Sequence, residues 1–271
     1  MRAINLTSEI RSFILGKGAA LVGVAPVERF AKAPKGYQPQ DILPEATNVI
    51  VFAFPMLEST FLSPNPRIYV LRYHQLREIS QNVGYEVCRF IEDRGFNAVN
   101  LPGTAPLDVE EKKILFGDFS YRHAAVEAGL GQIGWNQLLI TPEFGPRVWL
   151  MAVITSAPLL PDARFEQDLC QREDCNLCIK LCPQGALTPG QPTDKSKCTR
   201  RPKQYGLSHL IKHIKDILNE KDMARREELL CGPTTWALWM HLQYGGPPDR
   251  CHICLSCCPI GKNTQGFEEQ L

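Results

Sequence analysis

The sequence predicts an α+β protein in two parts. An α/β unit over residues 1–160 is followed by a cysteine-rich unit over residues 161–271, with a helical insertion at about 205–248. Three observations predict it. The first 160 residues alternate helical and strand-like apolar patterns. The character changes after Pro158 and Pro161. Ten of the eleven cysteines then fall between residues 170 and 258, where Cys175-x2-Cys178-x3-Cys182-Pro183 recurs as Cys251-x2-Cys254-x3-Cys258-Pro259, each position shifted by 76 residues.

Taken in order, Ser8 is placed to cap a short helix with Ile10, Phe13 and Ile14 on its apolar face, stopped near Gly16 and Gly18. Ala20–Val24 and Asn48–Phe54 are strand-like, and the second is a nearly continuous apolar run of the buried kind. Pro34, Gly36, Pro39 and Pro44 mark an irregular connection between them. A long helix is predicted from about Ile68 to Arg94, with Leu76, Ile79, Val83, Val87, Phe90 and Ile91 at helical spacing and Gly95 beyond its end. Ala98–Leu101 is a short strand, and a helix from about Tyr121 to Ala128 follows it. Gln137–Thr141 and Arg147–Thr155 look like two strands of a hairpin joined through Pro142-Glu-Phe-Gly145. In the insertion, Ser208 is placed to cap a helix carrying Leu210, Ile211, Ile214, Ile217 and Leu218, and a second helix ends near Leu230. Trp236, Trp239 and Tyr244 add aromatic bulk that is expected to cover a metal centre and keep water away.

Composition narrows the function. A hydrophobic content of 44% and a charged content of 22% describe an ordinary globular chain, and no apolar stretch approaches the ~20 residues of a membrane span. The formal net charge of +1 makes a nucleic-acid partner unlikely on electrostatic grounds. Arg2, Glu9, Arg11 and Lys17 interrupt the N-terminal segment, which has no long apolar core of a signal peptide, so a cytoplasmic location is expected. Lys195, Lys197, Arg200, Arg201 and Lys203 crowd around Cys198, either as solvated charge or as a docking patch for an acidic electron donor.

Three readings compete for the cysteines. A disulfide framework suits an oxidising compartment and an even count, and neither is predicted here. Zinc favours separated Cys-x2-Cys pairs. A third Cys after three residues, followed by Pro and repeated, is instead the pattern of bacterial ferredoxins with two [4Fe-4S] clusters, in which the Cys before Pro ligates the other cluster. On that pattern Cys170, Cys175, Cys178 and Cys258 form one ligand set, and Cys182, Cys198, Cys251 and Cys254 the other. The Cys170-x4-Cys175 gap departs from the commoner x2 spacing, with Arg172 standing where a Cys is usual. The eighth ligand is open between Cys198 and Cys231, with Cys257 weakened by its adjacency to Cys258. Cys88 lies on the long helix and reads as a small buried hydrophobe.

Gly129-Leu-Gly131-Gln-Ile-Gly134 matches a dinucleotide fingerprint in letters but not in context, because it follows a helix and precedes a strand. Arg122–Leu150, with its AGLGQIG and ITPEFGPR segments, together with Arg72–Arg77 and the two Cys-Pro motifs, resembles epoxyqueuosine reductases and cobalamin-dependent reductive dehalogenases. The resemblance spans about residues 48 to 262. It implies a nitroreductase-like α/β domain that holds cobalamin and a ferredoxin-type domain that feeds it electrons. It also implies that backbone at Gly129, Gly131 and Gly134 approaches the corrin, with Thr141 nearby. Two departures stand out: Gly103 replaces the family's proposed proton-donating Asp, and Trp135 replaces a basic residue.

The sequence therefore predicts a cytoplasmic iron–sulfur reductase. It would take electrons from a small protein donor of ferredoxin or flavodoxin type and deliver them to a corrinoid or small-molecule substrate between the two parts. A reduction also needs protons, and Tyr73, His74 and His123 are the candidate proton-handling residues. The alternatives are a non-enzymatic electron-transfer or corrinoid-activating protein and an epoxyqueuosine reductase acting on tRNA.

Overall fold

The computed structural model describes residues 2–101, 117–198, 207–243 and 251–261. Its centre is a four-stranded antiparallel sheet made from β1 (Leu21–Pro26), β2 (Asn48–Pro55), β3 (Ala98–Asn100) and β6 (Val148–Thr155) in the order β1-β2-β6-β3. The register pairs Val51 with Gly23 and with Ala152. Val49 to Ala53 are all fully buried, because both faces of the sheet are covered, and this explains the unbroken apolar run. Ile50 and Phe52 point into one core and Val49 and Val51 into the other, as the two-residue period of a strand demands.

Helices α1 (Arg2–Gly16) and α4 (Pro66–Glu92) cover the first face, through Ile10, Ile14, Val83, Val87 and Ile91. Between them in sequence lie two single-turn helices, α2 (Pro39–Ile42) and α3 (Ser59–Leu62). Helix α5 (Tyr121–Glu127) covers the opposite face with Ala124 and Ala125, whose small side chains let the backbone lie close to the strands. The start of α4 is set by Asn65, whose side chain accepts from the Arg67 amide at 3.0 Å, with Pro66 in the first helical turn. The N-terminal helix begins well before Ser8, which is an exposed internal residue. Its extra turn is held by the Thr7 hydroxyl donating to the Ala3 carbonyl at 2.8 Å and by Leu6 on the core.

One strand pairing differs from the expected hairpin. β5 (Leu139–Ile140) pairs with β4 (Gln132–Ile133) in a separate two-stranded sheet, while β6 joins the main sheet. Thr141 causes the break. It bridges to Gly145, and its hydroxyl accepts from the Phe144 amide at 3.1 Å, closing a tight turn that ends the strand before β6 begins. A buttress links the chain after β6 to β1: Asp162 accepts from Arg11 at 2.7 Å and from the Val24 amide at 2.8 Å.

The cysteine-rich part contains the short helices α6 (Leu177–Lys180), α7 (Lys195–Cys198) and α11 (Ile253–Ser256) and the longer α8 (Leu207–Asn219), α9 (Met223–Cys231) and α10 (Pro233–Gln243). The α8 helix begins at Leu207 and so already includes Ser208, and α10 carries the aromatic residues Trp236 and Trp239. His213 Nε2 and Thr235 Oγ1, 2.8 Å apart, join α8 to α10. Trp236 and Trp239 meet edge to face at 5.6 Å but remain 61% and 50% exposed, so they do not form the expected seal. Gly103, Arg200, Arg201, Lys203 and Tyr244 lie outside the described residues.

Candidate metal centre

The two cysteine motifs fold alike. Each places a one-turn helix, α6 or α11, over its Cys-x2-Cys segment, and the two helices pack on each other. Such loops need unusual backbone: Arg172 and Asn176, on either side of Cys175, both adopt left-handed conformations. The second motif is also docked on the main core. Leu255 packs against it, and the His252 ring lies 4.7 Å from that of buried Tyr69.

The thiols influence one another in two sets. Burial pushes Cys178 up to about 11, and the charges of Cys170, Cys258 and Cys175 add to the rise. Burial also raises Cys258, with Cys170 and Cys175 contributing, while an Ile260 backbone hydrogen bond and Arg147 oppose. In the other set burial pushes Cys254 up to about 12, followed by Cys251, Cys198 and Cys257, with Cys178 the last contributor. Cys198 is exposed as a residue. Its sulfur is nonetheless crowded, and burial first, then Cys251 and Cys182, raise its pKa. Each set thus contains a thiol from the opposite motif: Cys258 beside Cys170, Cys175 and Cys178, and Cys182 beside Cys198, Cys251 and Cys254.

Among the described residues these side chains form no group tight enough to hold a single metal ion. Four thiols around a shared cavity, as Cys170, Cys175, Cys178 and Cys258 are, suit a cationic iron–sulfur core, which takes them as thiolates and spreads them over separate irons. The first set lines a cavity with Trp135 and Ile140. An indole and an aliphatic chain there limit water. Trp135 therefore stands beside the thiols, a position the resemblance had not suggested. Cys182 Sγ also accepts from the Ala186 amide at 3.3 Å, a contact of the kind that stabilises a sulfur ligand's negative charge. Cys231 is exposed at the end of α9. Cys88 is buried on α4 with its thiol 3.8 Å from Asn100 Oδ1, and burial pushes its pKa up to about 12.

The glycine loop is filled by its own chain. A Cβ on Gly129 would overlap the Ala163 carbonyl oxygen, one on Gly131 the Ile140 carbonyl oxygen, and one on Gly134 the Ile140 side chain. The need for glycine at all three positions is thus met within the protein. Thr141, fully buried, is occupied by its turn with Gly145 and Phe144.

The three proton-handling candidates are not brought together. Tyr73 packs edge-on against Trp149 at 4.6 Å, with the His74 ring 5.6 Å away, on the α4 face of the sheet. His123 belongs to α5 on the other face. Its Nδ1 lies 2.6 Å from Ser120 Oγ, and burial and then Arg122 lower its pKa, against Glu127. Burial and then the charge of Arg122 lower the pKa of Lys195 on α7.

Two buried side chains escaped the sequence reading. Asn136 and Arg147, each 4% exposed, reach from the sheet part to the second cysteine motif. Asn136 Nδ2 donates to the Cys254 carbonyl at 3.1 Å. Arg147 donates to the carbonyls of Leu255, Cys258 and Ile260 at 3.3, 3.0 and 2.7 Å. Beside them the chain crosses itself at two left-handed glycines: a Cβ on Gly145 would overlap the Ile260 carbonyl oxygen, and one on Gly261 the Gly145 amide nitrogen.

No family model matches the chain. An epoxyqueuosine reductase from Bacillus anthracis is 42% identical over 92 residues, which are 34% of this chain and 23% of that protein. The tetrachloroethene reductive dehalogenase of Sulfurospirillum multivorans is 46% identical over 72 residues, covering 26% of this chain and 14% of its own. A crystal structure of epoxyqueuosine reductase with a tRNA-Tyr epoxyqueuosine-modified tRNA stem loop matches with a TM-score of 0.61 at 17% identity, over 96% of this chain and 66% of that one. A reductive dehalogenase structure described as suggesting a mechanism for B12-dependent dehalogenation matches with a TM-score of 0.62 at 16% identity, over 90% and 37%. The chain thus spans about a quarter or less of these curated relatives in sequence, and the structural likeness shows a shared mixed helix-and-sheet fold. No helix among the described residues is long and apolar enough to cross a membrane.

Proposed function

We propose that this chain, an epoxyqueuosine reductase/reductive dehalogenase-like protein, works as an iron–sulfur oxidoreductase with two [4Fe-4S] clusters. Cys170, Cys175, Cys178 and Cys258 hold one cluster, and Cys182, Cys198, Cys251 and Cys254 hold the other. The observation that carries this reading is that Cys258 of the second motif lines one cavity with Cys170, Cys175 and Cys178 of the first; the charges acting on Cys198, from Cys251 and Cys182, point to the matching exchange in the other set. When bound, the clusters supply one-electron transfer at low potential. The protein's own part is to hold the thiols in quartets, to exclude water with Trp135 and Ile140, and to bring the quartets close enough that Cys178 affects Cys254. A small protein donor of ferredoxin or flavodoxin type delivers the electrons, and residues 1–160 and 161–271 work as acceptor and cluster units in a cytoplasmic setting.

The acceptor is either a corrinoid or the substrate itself. Anaerobic titration of the cluster-loaded protein with cobalamin tests this, and an unchanged cobalamin spectrum leaves direct reduction of the substrate. Iron and sulfide analysis of anaerobically purified protein tests the main reading, and zinc in place of iron ends it.

Epoxyqueuosine reduction in tRNA is the second reading. It is favoured by the name shared by most of the sequence relatives and by the solved relative that carries a modified tRNA stem loop. That relative reopens the nucleic-acid partner that near-neutral charge alone had made unlikely. Turnover of epoxyqueuosine-containing tRNA by the loaded protein decides for it, and its absence leaves a small-molecule reductase or an electron carrier.

A further inference from the structure

We propose that Arg147 is a positioning residue that raises the reduction potential of the cluster held by Cys170, Cys175, Cys178 and Cys258. The inference rests on the iron–sulfur reading above. Arg147 is 4% exposed, and its guanidinium satisfies three carbonyls of the Leu255–Ile260 segment, including that of Cys258 itself. A guanidinium stays charged under all ordinary conditions. Burying a charge is costly unless an opposite charge or strong hydrogen bonds compensate. Three carbonyls compensate in part, and opposite charge comes from Glu58 and from Cys258 once it is a thiolate ligand. A cluster bound by four thiolates is net negative and gains a further negative charge on reduction. A fixed buried cation next to one ligand therefore favours the reduced form.

The arrangement does more than neutralise. Arg147 begins the segment that becomes the fully buried centre of β6, so its position is fixed by the main sheet. Its hydrogen bonds transmit that rigidity to the Cys258 loop. The Asn136 bond to the Cys254 carbonyl does the same for the neighbouring cysteine, but without charge. The pair separates the two roles: both residues position the loop, and only Arg147 changes its electrostatics.

Anaerobic redox titration of the holoprotein, followed by electron paramagnetic resonance of the reduced clusters, tests the proposal. Arg147→Gln keeps a donor and removes the charge. It is expected to lower the ratio of reduced to oxidised cluster about tenfold at a fixed applied potential, a negative shift of ~59 mV for a one-electron couple. Arg147→Lys is expected to recover most of that shift. A loaded Arg147→Gln protein with the wild-type potential overturns the proposal. If Arg147→Gln binds no cluster, Arg147→Lys decides: a wild-type potential supports the charge effect, and a tenfold displacement refutes it. Iron content of the unaltered protein, measured first, separates this outcome from failure of the iron–sulfur reading.

Discussion

Gly145 and Gly261 meet backbone to backbone, so that a side chain on either would overlap the other's strand of the crossing. Both adopt left-handed conformations, with φ of +55° and +68°. Through this crossing the end of the second cysteine motif rests on the turn that precedes β6. Arg147 and Asn136 then tie the same motif down by its carbonyls.

Gly145→Ala is therefore expected to cost about 2 kcal/mol or more, from left-handed strain and from displacement of Ile260. Thermal denaturation of the loaded protein measures it. The same variant should lose signal from the cluster that includes Cys258 before the other. Wild-type stability and full iron would show that the crossing is loose.

The loaded chain should contain about eight irons and a matching amount of acid-labile sulfide, the content of two cubane clusters. Metal and sulfide analysis after anaerobic purification checks the number. About four irons would mean that only one quartet is a ligand set.

Exchange of single thiols tests the crossed assignment. Cys182→Ser should remove the spectroscopic signal of the cluster built on Cys251 and Cys254, while Cys258→Ser should remove that of the cluster built on Cys175 and Cys178. Cys198→Ser should resemble Cys182→Ser, and Cys231→Ser should leave both signals intact. A lost signal in Cys231→Ser with none lost in Cys198→Ser reverses the choice of eighth ligand.

The pH dependence of the metal-free chain follows from Cys178 and Cys254, which burial and neighbouring thiols push up to about 11 and about 12 from 9.0. The folded state holds these protons more tightly than the unfolded state does, so stability is full below about pH 9 and falls as pH rises toward 11–12. In the loaded protein the same sulfurs carry iron, and the loss left to Cys88 and Tyr121 should be smaller. Urea denaturation of both forms at about pH 8 and about pH 10.5 compares them. Equal losses in the two forms would remove the two cluster thiols as the cause.

Tyr121 gives a smaller, local test. Its buried hydroxyl donates to the Leu101 carbonyl at 2.7 Å, and burial raises its pKa. Tyr121→Phe should cost about 1 kcal/mol, and more if the carbonyl finds no new donor.

Most of the sheet and its helices were legible because their apolar residues repeat at periods of two or 3.6, as in Asn48–Phe54 and the Leu76–Ile91 face. The repeated cysteines likewise pointed to a metal centre through spacing alone. What escaped depends on residues far apart in sequence. The hairpin reading of Gln137–Thr155 failed because β5 found its partner on its N-terminal side, once Thr141 had closed its turn. That Ala163 and Ile140 close on the glycine loop is likewise not visible in the sequence. Arg147 resembled an ordinary strand-end charge, since its three acceptors lie more than a hundred residues away. The exposed tryptophans of α10 were assigned to the centre by bulk alone, and Trp135 takes that place in the fold.

If the two motifs exchange one cysteine as proposed, that exchange also governs the order of assembly. During synthesis the first motif emerges with three members of its quartet, and its fourth, Cys258, follows only after the whole helical insertion. The second motif cannot be complete without Cys182, which has by then waited through that interval. On the proposed ligand sets neither centre would mature independently of the other half, and metal loading would be a late event that reports on the whole chain. Any truncation before Cys258 leaves its own quartet one thiol short and the neighbouring centre without the loop that Arg147 anchors.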